Sequence, residues 1–185
     1  MSLEDAFGNY LNPTDKTRKI SDWISANAKS KIEAMNLATM VAYKYHEYAS
    51  DMEAHGSLEK FAVPDQSLKI GKGDCDDKSS LIVAILNGLP PELRPDEVNV
   101  TVGRYFGDVP KPNEYHAYVK ARDGNKWFIL DGTSGEVHPS PGLRYFDLFS
   151  IYSDKITMSE PIGVIAEHLV LLPFLIVNDI SSKLR

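Results

Sequence analysis

Gly88 followed by Pro90-Pro91 divides this chain into two halves that follow different periods. A glycine just past a helix and prolines beyond it stop helical backbone, because proline lacks the amide donor and restricts the residue before it. Upstream, apolar residues recur at helical spacing: Ile20, Trp23 and Ile24, then Met35, Ala38, Thr39, Ala42, Tyr43 and His46. Between Thr14 and about Ala54 this predicts two helices broken near Asn27. Leu81, Ile82, Ile85, Leu86 and Leu89 predict a further helix from Asp76 to Asn87, and the intervening Val63 to Leu68, Gly71 and Gly73 read as turns. Downstream the period becomes two. Val98 to Val102, Tyr115 to Lys120 and Lys126 to Leu130 are predicted strands, Leu148 to Met158 adds another, and Val164 to Val177 fits strand or helix equally. A helical part over about 14–89 and a sheet part over about 97–180 make one α+β domain, with helices packed on an antiparallel sheet.

Bulk properties narrow the partners. With 185 residues and 43% hydrophobic content the chain can bury a substantial core, and its net charge of −6 argues against nucleic acid or an anionic membrane surface. Met1 to Asp5 lack the basic and apolar regions of a secretory signal, so a cytoplasmic location is the default expectation, although an excised domain would have lost any leader. The apolar run Ile162 to Val177 contains Glu167, His168 and Pro173 and is too short and interrupted to insert across a bilayer. A single cysteine excludes an internal disulfide.

That cysteine, Cys75, stands in Ile70-Gly71-Lys72-Gly73-Asp74-Cys75-Asp76-Asp77-Lys78, where a glycine-rich loop runs into the predicted helix. A thiol at a helix N-terminus lies at the positive end of the macrodipole, which favours the nucleophilic thiolate. Farther on, Asp123-Gly124 between two alternating segments is a two-residue hairpin signal. That turn sets Arg122 opposite Asn125 and, counting back along both strands, His116 opposite Asp131. Opposed residues lie about 4.5–5.5 Å apart at Cβ on one face, close enough for an imidazole to hydrogen-bond a carboxylate. An error of one residue in register would separate them. Taken alone, His116 and Asp131 would be an exposed cross-strand pair. With Cys75 they supply nucleophile, base and orienting group for thiol acyl transfer. His46 and His55, on or after the second helix, read as packed or solvated residues.

Gly73-Asp74-Cys75-Asp76-Asp77, His116-Ala117-Tyr118 and Trp127-Phe128-Ile129-Leu130-Asp131-Gly132-Thr133 together resemble the transglutaminase-like superfamily of cysteine enzymes. Its members carry a Gly-x-Cys-x-Asp helix start, a strand histidine and an Asp-x-Thr strand end. Pro64-Asp65-Gln66-Ser67-Leu68 resembles the Pro-x-Glu-Thr-Leu segment before the cysteine in the bacterial and archaeal peptidase branch. The match spans about the middle third of the chain; Gly132 stands where proline is common and Tyr118 where tryptophan is frequent. The resemblance implies a papain-like, transglutaminase-core fold and a Cys75-His116-Asp131 triad acting on a peptide or glutamine carboxamide through a thioester. Hydrolysis is favoured over protein cross-linking by acyl transfer, and an inactive binding or scaffold module is the competing class.

The carboxylates of Asp74, Asp76 and Asp77 oppose ionisation of the neighbouring thiol even as they suit the first helical turn. Asp74 reads as the N-cap and Asp77 as a capping or loop-anchoring residue. No cofactor is required; as in some bacterial relatives, Asp74 and Asp76 holding Ca²⁺ is the alternative to a solvated acidic turn. The Cys75 amide is the natural oxyanion donor, with the Gln66 side chain a candidate second. Tyr115, Tyr118 and Trp127 fit cross-strand packing better than a substrate cleft.

Overall fold

The computed structural model describes residues 10–56, 61–106, 114–142, 144–152 and 155–158. The elements in chain order are α1 (Asp15–Asn27), α2 (Lys31–Lys44), β1 (Glu47–Tyr48), α3 (Asp51–His55), α4 (Pro64–Ile70), β2 (Lys72–Gly73) and α5 (Cys75–Asn87). The main sheet follows, with β3 (Glu97–Tyr105), β4 (Glu114–Asp123), β5 (Lys126–Asp131), β6 (Glu136–Pro139), β7 (Tyr145–Ile151) and β8 (Ile156–Met158). Its order is β6-β5-β4-β3-β7-β8 with every neighbouring pair antiparallel, so the α+β class holds. No helix among the described residues is long and apolar enough to cross a membrane.

Side-chain caps define the helix starts. Thr14 and Thr17 form a reciprocal capping box on α1, Ser30 accepts from the Glu33 amide on α2, and Asp74 accepts from the Asp76 amide on α5. The second helix stops at Lys44 instead of running on toward Ala54, because two other arrangements take over its continuation. Glu47 and Ala49 donate to the carbonyls of Gly71 and Gly73, pairing β1 with β2 in parallel, and Ser50 with Glu53 starts the new helix α3. The stretch read as turns contains α4, begun by Pro64 at a position where its missing amide costs nothing. Leu148 to Met158, read as one strand, is divided between β7 and β8, and the short strand β6 carried too weak a pattern to be foreseen. Val164 to Val177 lies outside the described residues.

Helix α5 is buried continuously from Asp77 to Leu86, packed by α1, α2 and α4 on one side and by β3 and β4 on the other. Leu81, Ile82, Ile85 and Leu86 join Val100, Ala117, Val119 and Leu130 in the core, each large aliphatic side chain contributing roughly 1.5–3 kcal/mol on burial. Strand alternation then sends Asn99, Thr101, His116, Tyr118 and Asp131 to the opposite, polar face of the sheet.

The β4–β5 hairpin corrects the expected register. Arg122 pairs with Trp127 and Asp123 with Lys126, so the turn is Gly124-Asn125, one residue later than expected. Gly124 takes a left-handed φ of 59°, its amide donates to Asp96 Oδ2 at 2.7 Å, and Arg122 donates to its carbonyl at 2.9 Å. The partner expected for any β4 residue therefore moves by two along β5. Parity is kept, so His116 and Asp131 share a face but lie diagonally rather than directly opposite.

Polar groups lie inside the helical half as well. Lys78 is 2% exposed and donates to the carbonyls of Ala42 and His46 at the end of α2; burial pulls its ammonium down to about 8. His46, 1% exposed and 2.6 Å from Ser67 Oγ, is pushed down to about 4 by burial and then by the Lys78 charge.

Two measurements test this framework. A Cβ at Gly103 would lie 2.2 Å from the Phe146 carbonyl oxygen and 2.9 Å from the Tyr118 hydroxyl. Gly103→Ala is therefore expected to cost about 2 kcal/mol or more in denaturant unfolding. His46 is neutral when folded and free to protonate near 6.5 when unfolded, so its contribution is complete above pH 6.5 and lost as pH falls toward 4. Urea unfolding should show a decline of about 3 kcal/mol across that window, shallower in His46→Gln.

Candidate active site

Cys75 is the first residue of α5, delivered there by the β1–β2 pairing and the Asp74 cap. The β4–β5 ladder ends at Val119 opposite Leu130, and past that end the Ala117 amide donates to Cys75 Sγ at 3.4 Å. The sulfur thus rests against the backbone next to His116. On the same strand, His116 Nε2 lies 2.8 Å from Asp131 Oδ2, with both side chains 1% exposed. His116 Nδ1 has no hydrogen-bond partner among the described residues and is the ring atom left to exchange a proton. Cys75 Sγ therefore touches the backbone of the residue that follows His116, and His116 in turn hydrogen-bonds Asp131, 56 positions beyond Cys75 in the chain.

Asp131 is held from several directions. Its Oδ1 accepts the amides of Thr133 at 2.8 Å and Ser134 at 3.3 Å, and its Oδ2 accepts the Tyr145 hydroxyl at 2.9 Å as well as His116. Burial pushes the carboxyl up, but the hydrogen bond and charge of His116, the Thr133 amide and the Tyr145 hydroxyl outweigh it and hold Asp131 below its usual range. The group that orients the histidine is accordingly an anion.

The thiol behaves otherwise. Burial pushes Cys75 well above the ordinary thiol range, the charges of Asp74 and Asp76 add to this, and the Ala117 amide offsets only part. The helix dipole that favours a thiolate is outweighed here. Asp76 is itself pushed well up, first by burial and then by its closeness to Asp74. Asp77, fully buried, anchors a loop as expected: Oδ1 accepts the Ala62 amide and Oδ2 meets His55 Nε2, each at 2.9 Å. His55 and His46 are both packed residues.

One oxygen from each of Asp74, Asp76 and Asp77 lies within 4.8 Å of the others. Both Asp77 oxygens are engaged, while Asp74 Oδ1 and Asp76 Oδ1 each accept one backbone amide and the two carboxyls also interact with each other. Hard and crowded, these oxygens are of the kind that can hold a divalent cation, whose charge would favour the ionised form of Asp76.

Gln66 is on α4 rather than on a loop, and among the described residues its amide makes no hydrogen bond to Cys75, His116 or Asp131. Tyr118 is buried with its hydroxyl 2.5 Å from Asp147 Oδ1, Trp127 lies under the cations of Lys120 and Arg122, and Tyr115 is 38% exposed. Two contributors were not foreseen. Lys78 carried a signal, a cation on the apolar stripe of α5 one turn before Leu81 and Ile82. Tyr145 carried none, because its place depends on how the sheet curls.

The sequence matches no family model and no curated protein. The structure is similar to LapG from Legionella pneumophila, with a TM-score of 0.60 and 15% identity over 86% of this chain and 88% of that one. Calcium-bound LapG gives the same TM-score and identity over 87% and 90%. A Cytophaga hutchinsonii protein, provisionally described as a cysteine protease, matches at 0.58 and 20% identity over 81% of this chain and 50% of its own. These likenesses establish the fold, helices on an antiparallel sheet, which is consistent with a papain-like, transglutaminase-like core.

Proposed function

We propose that this protein is a cysteine peptidase or amidase using Cys75, His116 and Asp131. The observation that carries the reading is the buried His116–Asp131 hydrogen bond on the strand whose next amide holds the Cys75 sulfur. His116 Nδ1 takes the thiol proton as Sγ bonds to the carbonyl carbon of a peptide or carboxamide. The same proton passes to the leaving nitrogen as the C–N bond breaks, leaving a thioester on Cys75. Water then gives a proton to His116 and its oxygen to the carbonyl carbon, releasing the acid and restoring the thiol. Asp131 keeps the ring oriented and stabilises its cationic form. The Cys75 amide, which has no intrahelical acceptor at the first position of α5, is the proposed donor to the oxyanion. An amine in place of water would make the reaction an acyl transfer.

The elevated thiol favours a second reading, a binding module with an inert cysteine. Asp74 and Asp76 are the residues proposed to hold Ca²⁺, whose charge would offset theirs beside the thiol.

If His116 takes the thiol proton, native Cys75 is expected to react with iodoacetamide without denaturant despite its raised pKa, at least tenfold more slowly in His116→Ala. Hydrolysis of a peptide amide should fall by 10³-fold or more in Cys75→Ala and Asp131→Asn. Labelling that requires denaturant would favour the binding module. In thermal unfolding, millimolar CaCl₂ should raise Tm by several degrees, reversibly with EGTA, as a ligand at 100 times its Kd contributes about 2.7 kcal/mol. Asp74→Asn combined with Asp76→Asn should abolish the rise.

A further inference from the structure

Asp131 is gripped by a side chain from a strand that pairs with neither β4 nor β5. Tyr145 opens β7, which is separated from β5 by β4 and β3. In a flat sheet three steps of about 4.8 Å would put those strands about 14 Å apart, more than one tyrosine spans. The Tyr145 hydroxyl nevertheless lies 2.9 Å from Asp131 Oδ2, so the sheet curls over its polar face. The register between β3 and β7 shifts between Val102 and Gly103, and Gly103 admits the Phe146 carbonyl to a distance no side chain would allow.

Ring and hydroxyl have separable duties here. The Tyr145 ring packs against Tyr118 and Tyr105 at centroid distances of 4.8 and 5.0 Å, and phenylalanine would fill the same space. Only the hydroxyl distinguishes the two residues, and its partner is the oxygen that also faces His116.

We propose that Tyr145 is a positioning residue for the Cys75 chemistry, its hydroxyl sharing Asp131 Oδ2 with His116 Nε2 so that the carboxylate stays charged and turned toward the imidazole. This role rests on the triad reading. Among the described residues, Asp131 hydrogen-bonds His116 from β4 and Tyr145 from β7 and pairs with Glu136 on β6, and its charge is felt at Tyr118 from β4 and at Cys75 and Lys78 from α5. Of these, His116 and Tyr145 donate to it through side chains. Removing the Tyr145 donor disfavours the charged form of Asp131, so protonation should occur at higher pH.

The test reads Asp131 through its partner, independently of turnover. In ¹⁵N-histidine-labelled protein, the downfield ring N–H proton of His116, assigned by its loss in His116→Ala, weakens on acidification as Asp131 protonates. Tyr145→Phe is expected to move that midpoint up by about one pH unit, and to lower kcat for amide hydrolysis about tenfold with KM unchanged. An unmoved midpoint, even with a lowered Tm, would reduce Tyr145 to a space-filling ring and overturn the proposal. If Tyr145→Phe fails to fold, 3-fluorotyrosine introduced at position 145 keeps the ring and strengthens the donor, and the midpoint should fall; no movement overturns the proposal equally. Absence of amide hydrolysis in the unsubstituted protein would count against the enzyme reading, while the midpoint still decides whether Tyr145 tunes Asp131.

Discussion

The structure depends on burying one helix from nearly every side. Most amphipathic helices keep a solvated face, but α5 has no exposed residue between Asp77 and Leu86. Its N-terminus is consequently fixed against the sheet with little freedom to tilt, and the first residue there is the only thiol in the chain. A thiol on a loop would need other restraints to be held as firmly. Here core packing supplies them, so the hydrophobic term that holds the domain together also fixes the position of the sulfur.

Burial has a cost at the same helix end. Three carboxylates crowd the helix start, and Asp77 has a partner for each oxygen, the Ala62 amide and His55. Asp74 and Asp76 suit the helix start by dipole and hydrogen-bond criteria, yet both raise the thiol, and Asp74 adds to the burial that raises Asp76. Consistency across local rules usually marks a foldable sequence, and departures from it concentrate at working sites. The acidic turn is such a departure: it is well formed as a helix start and unfavourable as a setting for a thiolate without added positive charge.

Much of this was legible in the sequence because it depended on periodicity and parity. The change from helical to alternating pattern gave the α+β division, and Leu81, Ile82, Ile85 and Leu86 marked the buried helix. His116 and Asp131 were brought together by counting along a hairpin whose turn is in fact Gly124-Asn125. The count survived because the error shifted partners by two, and sheet faces alternate with that period. What escaped notice lacked local pattern. The strands β1 and β2 are two residues each and exist through pairing with one another, α4 begins among turn-forming residues, and Tyr145 reaches Asp131 only because three strands curl. Gln66 was misplaced for a related reason, since a loop and a short helix present side chains differently.

Gly124 is far from any reacting atom, and a Cβ there would meet nothing within 4 Å. Its conformation nonetheless sets which β4 residue faces which β5 residue, and with that the diagonal between His116 and Asp131. The hairpin tip works as a ruler whose error is transmitted undiminished to the far end of the strands. Changes at this tip would thus disturb the His116–Asp131 pair without touching either residue, and those that keep the spacing even would be tolerated where odd ones are not.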